Sequence, residues 1–356
     1  MRHSCRSFVA LAVLAAVLTG CSSQAGATVG GAESLVSQGM EKINEGDYEL
    51  ALELFDSAIG KDAESAEAYR GRGIVLYHRG AYDEAIAAFE KALELFGNSN
   101  DNLSADTMKY YAECLYETGR YEEAVVTYNK LIDNAGGDVR YLYYMRGSAY
   151  VKLHNENQAV LDYEKALEGG SDNYGMCSSM YECFMSEGYE DRARSYLIRL
   201  LNSNTDDRFY VGKIYYRLGE YDKAMEYLKT AYNLGETGAI YYLALCMEAT
   251  GQAGISDLYE SHIEAYPVEY GVYNQYAAYL INSGNYEKAL SVIKKALSAA
   301  GENLDADVRG GLMFNEGVCY EYLGDFSEAL KIFEEYVKMF PDDRTAYREY
   351  QFLLSR

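Results

Sequence analysis

Tryptophan is missing from this chain, and proline occurs only twice in 356 residues. Proline removes a backbone donor and clashes inside helices, so its scarcity leaves long stretches free to be helical. Histidine is nearly as rare: beyond the leading segment only His78, His154 and His262 remain, far apart in the chain. No His-x-x-x-His, Cys-x-x-Cys or His-Glu-x-x-His spacing occurs, which argues against a built metal site. No Gly-x-Ser-x-Gly, phosphate-binding loop or Gly-x-Gly-x-x-Gly stands where a strand would run into a helix. No residue is therefore assigned a catalytic or metal-binding role, no cofactor is implied, and the chain is read as a non-enzyme. Positive charge is short as well. Thirty-two Lys and Arg face 55 Asp and Glu, for a net charge of −23, or −25 without Arg2 and Arg6. Phosphate backbones and anionic head groups repel such a surface, so nucleic acid is not an expected partner. The acidity serves solubility or a preference for basic partners, and composition leaves both open.

The chain opens with an address. Arg2 and Arg6 precede an unbroken apolar run from Phe8 to Leu18, too short to span a bilayer but suited to a signal-peptide core. The run ends in Leu18-Thr19-Gly20-Cys21, which resembles a bacterial lipobox. That resemblance implies a signal segment over 1–20, cleavage before Cys21, and acylation of its sulfur, so that the bilayer itself becomes a partner. An ordinary signal peptide followed by a chance cysteine is the competing reading; it leaves the agreement of charge, core length and motif unexplained. Acyl chains anchor at about 0.8 kcal/mol per buried methylene, and two hold far more firmly than one. Residues 21–31 then form a flexible tether, and its ten residues after the cysteine reach roughly 17–19 Å. The expected location is the extracytoplasmic face of a bacterial membrane or the periplasm.

The rest of the chain is periodic. A Gly-x-Tyr-like turn followed by a small residue recurs nine times at intervals of about 34 residues. The clearest copies are Gly46-Asp-Tyr48 with Ala51, Gly80-Ala-Tyr82 with Ala85, Gly119-Arg-Tyr121 with Ala124, Gly219-Glu-Tyr221 with Ala224, Gly284-Asn-Tyr286 with Ala289, and Gly324-Asp-Phe326 with Ala329. Weaker copies surround Ala159, Ala193 and Ser256. In the second unit Tyr69, Gly73 and Leu76 share one face of a first helix, Gly80 closes it, and Ala85, Phe89 and Ala92 form the inner stripe of a second. Small residues at Gly73 and Ala85 let the two backbones approach closely.

This pattern resembles the tetratricopeptide repeat family over residues 32–343. The resemblance implies an all-α fold, an α-α superhelix of about nine helix-turn-helix repeats. The units run 32–65, 66–104, 105–139, 140–173, 174–204, 205–236, 237–269, 270–309 and 310–343, with a capping helix over 344–356. The family's closing proline appears only at Pro341, with Pro267 one place early. The seventh unit departs furthest, with Ser256 where alanine is expected, so the count is nine or eight plus an irregular pair. Gln38, Glu41 and Lys42 mark a solvated first face, and Tyr347, Tyr350, Leu353 and Leu354 an apolar face on the last helix. Longer connections at 97–104 and 300–309 read as an extra helical turn, with Ser104 or Asp305 as N-cap, or as recognition loops. Cys114, Cys183, Cys246 and Cys319 recur at one register as buried small hydrophobes, and Cys177 cannot pair with Cys183 along one helix.

The resemblance also implies that the first helices line a binding groove. Residues off the packed face then point into it: Arg70, Ile74 and Tyr77; Lys109, Glu113 and Tyr116; Tyr144, Ser148 and Val151; Phe209, Lys213 and Tyr216; Tyr241, Leu245 and Glu248; Phe314, Val318 and Glu321. Arg70, Tyr77, Lys109, Tyr116, Tyr144, Phe209, Lys213, Tyr216, Tyr241 and Phe314 are the expected partner-binding residues. Such a lining suits an amphipathic helix or an extended peptide held by aromatic anchors. Two functions compete. One is a lipid-anchored adaptor or assembly scaffold of the cell envelope; by resemblance, lipoproteins of this build recruit cell-wall enzymes or help assemble machines such as pili. The other is capture of a small peptide or glycan on the tyrosine faces.

Overall fold

The computed structural model describes residues 31–97, 102–169, 174–202, 206–301, 304–341 and 343–356. Cys21, the leading segment and the tether up to residue 30 lie outside them, as do residues 98–101 and 302–303 of the two longer connections. The described residues form helices and no strand. None of these helices is long and apolar enough to cross a membrane. The chain divides into two compact units, residues 1–203 and 204–356.

The first unit holds five helix pairs: α1 (Ala32–Glu45) with α2 (Tyr48–Lys61), α3 (Ala66–His78) with α4 (Tyr82–Phe96), α5 (Asn102–Glu117) with α6 (Tyr121–Asp133), α7 (Arg140–Lys152) with α8 (Glu156–Ala166), and α9 (Tyr174–Ser186) with α10 (Glu190–Asn202). The second holds four pairs and a last helix: α11 (Arg208–Arg217) with α12 (Tyr221–Asn233), α13 (Ala239–Ala249) with α14 (Ile255–Ala265), α15 (Tyr270–Asn282) with α16 (Tyr286–Ala300), α17 (Ala306–Tyr322) with α18 (Phe326–Met339), and α19 (Arg344–Leu354). Nine pairs are therefore present among the described residues, the seventh included.

Within each pair a narrow turn reverses the chain. At Gly80 the backbone is left-handed (φ 72°), which lets Gly80 and Ala81 donate to the carbonyls of Tyr77 and Leu76. His154 takes the same conformation without being glycine (φ 54°), at a cost of about 1–2 kcal/mol. That substitution is why the fourth turn is faint in the sequence. Side-chain caps start several helices, Ser65 accepting from the Ala68 amide and Asp325 from that of Glu328.

In seven of the nine pairs, what joins the two helices is a small residue on the first and a ring or branched chain sixteen positions later on the second. A Cβ built on Gly73 would lie 2.5 Å from the Phe89 ring; on Gly147, 2.6 Å from Tyr163; on Gly317, 2.5 Å from Phe333; on Gly212, 2.6 Å from Leu228; on Gly39, 2.7 Å from Phe55. Phe55, Phe89, Tyr163, Leu228 and Phe333 are all fully buried. Alanine takes the small position at Ala112 and Ala277, opposite the fully buried Tyr128 and Ile293.

Polar ties link neighbouring pairs. In the first unit Arg146 donates to both carboxylate oxygens of the buried Asp162 (2.7 and 2.6 Å) and to Asn129 (2.6 Å), clamping α6, α7 and α8 together. In the second, His262 is fully buried between the Tyr232 hydroxyl (2.9 Å) and the Glu269 carboxylate (3.1 Å).

Four local expectations change. Ser104 does not cap α5: the helix already includes Asn102, and Ser104 is buried within it. Asp305 does cap α17, accepting from the amides of Asp307 and Val308. In the seventh pair Ser256 is not the buried small residue. The turn there is longer, with Gly251 and Gly254 both left-handed, and it moves the inner stripe to Ile255, Tyr259 and Ile263. On α19 the packed face is Ala346, Tyr350 and Leu353, whereas Tyr347 and Leu354 are about half exposed (51% and 52%). A helix at the end of a stack has one neighbour and buries one narrow face. Among the thiols, Cys183 is only half-buried, while Cys114, Cys177, Cys246 and Cys319 are buried; none of the five is in a disulfide.

The small-residue rule yields a prediction of opposite signs. Gly73→Val forces two further methyl groups against an immobile ring, and is expected to cost about 2–3 kcal/mol. Gly60→Ala, on an exposed stretch of α2 with nothing near its Cβ, is expected to gain up to about 1 kcal/mol. Urea midpoints followed by helical circular dichroism would check both.

Candidate functional site

The faces of the first helices are built separately in each unit. In the first unit α3, α5 and α7 lie side by side. Arg70 on α3 forms an ion pair with Asp106 on α5. Two helical turns further along, the Tyr77 hydroxyl donates to Glu113 Oε2 (2.8 Å) and the Tyr141 hydroxyl from α7 donates to Oε1 (2.9 Å). Tyr110 stands edge-on to Tyr77 at 5.3 Å. Burial pushes both donor phenols well above the usual tyrosine range, and the Glu113 charge adds to it. Glu113 is 8% exposed; burial raises its pKa against the pull of the two hydroxyls, with Glu117 and Asp106 adding repulsion.

The same face continues over α7 and α9. Tyr116 meets Tyr121 edge-on at 5.3 Å, and Tyr144 stacks on Tyr163 at 6.0 Å. Ser148 and the Tyr163 hydroxyl are 3.0 Å apart and buried. The Cys183 thiol lies 3.9 Å from the Ser148 carbonyl oxygen, and burial raises its pKa. Of the predicted residues in this unit, Arg70 and Tyr77 are joined through α5, Tyr116 and Tyr144 lie further along, and Lys109 is exposed on α5.

In the second unit the structure gathers Phe209, Lys213, Tyr216 and Tyr241 around Tyr242. The Lys213 ammonium lies over the rings of Phe209 (4.9 Å), Tyr210 (5.2 Å) and Tyr242 (5.6 Å). Tyr242 stands edge-on to Phe209, Tyr216 and Tyr241 at 5.2–5.9 Å. Desolvation lowers the Lys213 pKa, with the Arg217 charge adding to it. Tyr210 and Tyr241 keep 40% and 39% exposure, so the cluster opens to solvent. Phe314 is elsewhere: half-buried, it packs on Phe333 (5.5 Å) and Tyr336 (6.0 Å), against the core of the last pair.

Sequence reasoning missed Tyr110, Tyr210 and Tyr242. They share a register, nine positions before the turn glycines Gly119, Gly219 and Gly251, and that column was the available signal. Tyr141 carried none, since it reaches Glu113 only across two helices. Among the described residues no group of three His, Cys, Asp or Glu could hold a metal ion. Burial drives the thiols of Cys114, Cys246 and Cys319 up to about 12, 11 and 12, which leaves them protonated and poor nucleophiles.

Glu113 keeps its proton to higher pH in the folded chain than in the unfolded one. Between the ordinary carboxylate range near 4.5 and that raised value the folded state binds more protons, so its contribution to stability falls as pH rises. Glu113→Gln removes this term. Its urea midpoint, relative to wild type, is expected to climb as pH rises from about 4.5 towards 7; a constant difference would show that Glu113 titrates normally.

Two family models described as tetratricopeptide repeat match the chain, one over residues 64–137 and 270–342 and the other over 141–168 and 211–234. Together these spans take in more than half of it. No curated protein matches. Solved structures with a similar fold include MamA from Desulfovibrio magneticus RS-1 (18% identity, TM-score 0.43, covering 50% of this chain and 97% of that one). PilW, a type IV pilus biogenesis factor, shows 19% identity and a TM-score of 0.44 over 56% of this chain and 91% of its own. A tetratricopeptide repeat protein from Parabacteroides merdae ATCC 43184 covers 91% of this chain and 98% of its own at 17% identity and a TM-score of 0.38.

Proposed function

We propose that this chain, which belongs to the tetratricopeptide repeat family, is a lipid-anchored adaptor of a bacterial cell envelope that docks a peptide or helix of a protein partner on its first-helix faces. The observation that carries this reading is the cluster on α11 and α13. There Lys213 is surrounded by aromatic rings, two of its tyrosines are openly exposed, and none of Phe209, Tyr210 and Tyr241 belongs to the buried core. Rings that present faces to solvent beside a partly desolvated cation have the make-up of interface anchors. Held rigidly by helices, they need little reordering on binding. The Cys21 motif supports attachment to the membrane through acyl chains, which leaves the repeats free in the adjoining aqueous phase. The acidity of the chain supports a protein rather than a nucleic-acid partner. Exposed rings at Tyr210 and Tyr241 also favour a second reading, capture of a small peptide or glycan.

Two measurements test the reading. Cys21→Ser is expected to move the protein from the membrane pellet to the soluble fraction and to abolish labelling by a fatty-acid analogue. A photo-reactive amino acid placed at Tyr241 in intact cells is expected to yield one or two discrete protein adducts, which Lys213→Glu removes while helicity is unchanged. Absence of any protein adduct, with saturable binding of a short peptide or glycan by the purified chain, would favour the second reading instead.

A further inference from the structure

In the fourth pair Ser148, the residue after the small Gly147, meets the hydroxyl of the ring partner Tyr163 at 3.0 Å. The equivalent residues of the third pair are Glu113, after Ala112, and Tyr128. Here the hydroxyl is not matched. Tyr128 is fully buried and its Oη has no hydrogen-bond partner, while both Glu113 oxygens accept from Tyr77 and Tyr141 instead. The Tyr128 hydroxyl nonetheless lies within electrostatic range of Glu113, Tyr141, Tyr116 and Tyr77. A buried hydroxyl without a partner costs about 1–3 kcal/mol, so the site is incomplete as it stands.

Its electrostatics are incomplete too. Arg70 is taken up by Asp106, and Glu117 adds like charge from the next turn of α5. The Glu113 carboxylate is thus desolvated among phenols, with no cation of the described residues hydrogen-bonded to it. It is not sealed, since 8% of the residue is exposed and Tyr77 and Tyr141 are only half-buried.

We propose that this box on α3, α5, α6 and α7 binds an ammonium or guanidinium side chain from a basic segment of the partner. The inference rests on the reading that first-helix faces dock protein. A lysine or arginine head brings several donors and no acceptor. Each Glu113 oxygen keeps a lone pair after accepting its tyrosine bond, and the surrounding ring faces attract a cation; the Tyr128 oxygen, fully buried, becomes a further acceptor once the entering head displaces the side chains over it. An anion would meet the carboxylate with repulsion. The excess of 55 acidic over 32 basic residues steers a basic segment towards the surface, while the box supplies the specific contact.

The test titrates a fluorescein-labelled, end-blocked hexalysine peptide against the detergent-solubilised full chain at about 0.15 M salt, where diffuse charge is largely screened. Glu113→Gln is expected to weaken binding at least about tenfold, because the desolvated carboxylate is the main acceptor. Glu122→Gln, which removes the same charge from an exposed position on α6, is expected to change it less than about twofold. Tyr128→Phe, which deletes the unmatched hydroxyl without changing the ring, is expected to weaken binding about three- to tenfold. Should Glu113→Gln lose helicity, Tyr128→Phe decides alone. Equal losses at Glu113 and Glu122, no loss at either Glu113 or Tyr128, or no saturable binding by the wild type would each overturn the proposal. Adduct formation from Tyr241 in the second unit is independent of this box, so its persistence would show that the docking reading stands while the cation site falls.

Discussion

The structure depends on one close approach, present in seven of the nine described pairs: a residue with little or no side chain on the first helix, set against a bulky group sixteen positions later. Where the ring of Phe89 or Phe333 occupies that space, even one added carbon on Gly73 or Gly317 would overlap it. The contact fixes the distance between the two helix axes and leaves little freedom in their rotation, because interiors packed at this density do not deform smoothly. Each pair then presents a defined outer face to the next. The described repeats are ordered in this way by contacts that are short in sequence, and each unit accumulates its core pair by pair.

Because the packed face is committed, chemical variety is confined to the residues beside it. The position after the small residue holds Ile74, Glu113, Ser148 and Val318 in different pairs. The ring is phenylalanine at 55, 89 and 333, but tyrosine at 128 and 163, which adds a hydroxyl to the floor of the first-helix face without altering the packing. The fourth pair closes that hydroxyl with serine; the third has a carboxylate at the serine's position, held instead by two tyrosines from neighbouring helices. In the second unit the same freedom places a lysine among rings. A single scaffold thus carries two faces of different chemistry.

Charge plays different parts at different depths. Exposed pairs such as Lys331 with Glu328 or Lys338 with Glu334 lie along single helices and add little to stability. The Arg146–Asp162 pair is another matter, since Asp162 is almost fully buried and both its oxygens are held by one guanidinium. Its removal from one side would leave an unpaired buried charge, so the pair holds α7 against α8 within one repeat, and the bond from the same guanidinium to Asn129 ties that repeat to α6. Among the described residues Glu113 has no cationic partner, and the proposed recognition rests on that difference.

The periodic sequence by itself determined the helix pairs, their turns and their packed faces, because each of these is decided by residues within about one repeat of each other. It also determined four members of the second unit's cluster, Phe209, Lys213, Tyr216 and Tyr241, which follow from position along a helix. Tertiary structure alone decided what happens between helices. It brought Tyr242 into the centre of that cluster and laid Phe314 against the core of the last pair. Tyr77, Glu113 and Tyr141 were joined across three helices, the seventh pair's stripe moved from Ser256 to Ile255, and Tyr347 was left in solvent. Periodicity specifies which face of a helix is covered; the length of each turn and the side chains of the neighbouring helix specify what that face touches.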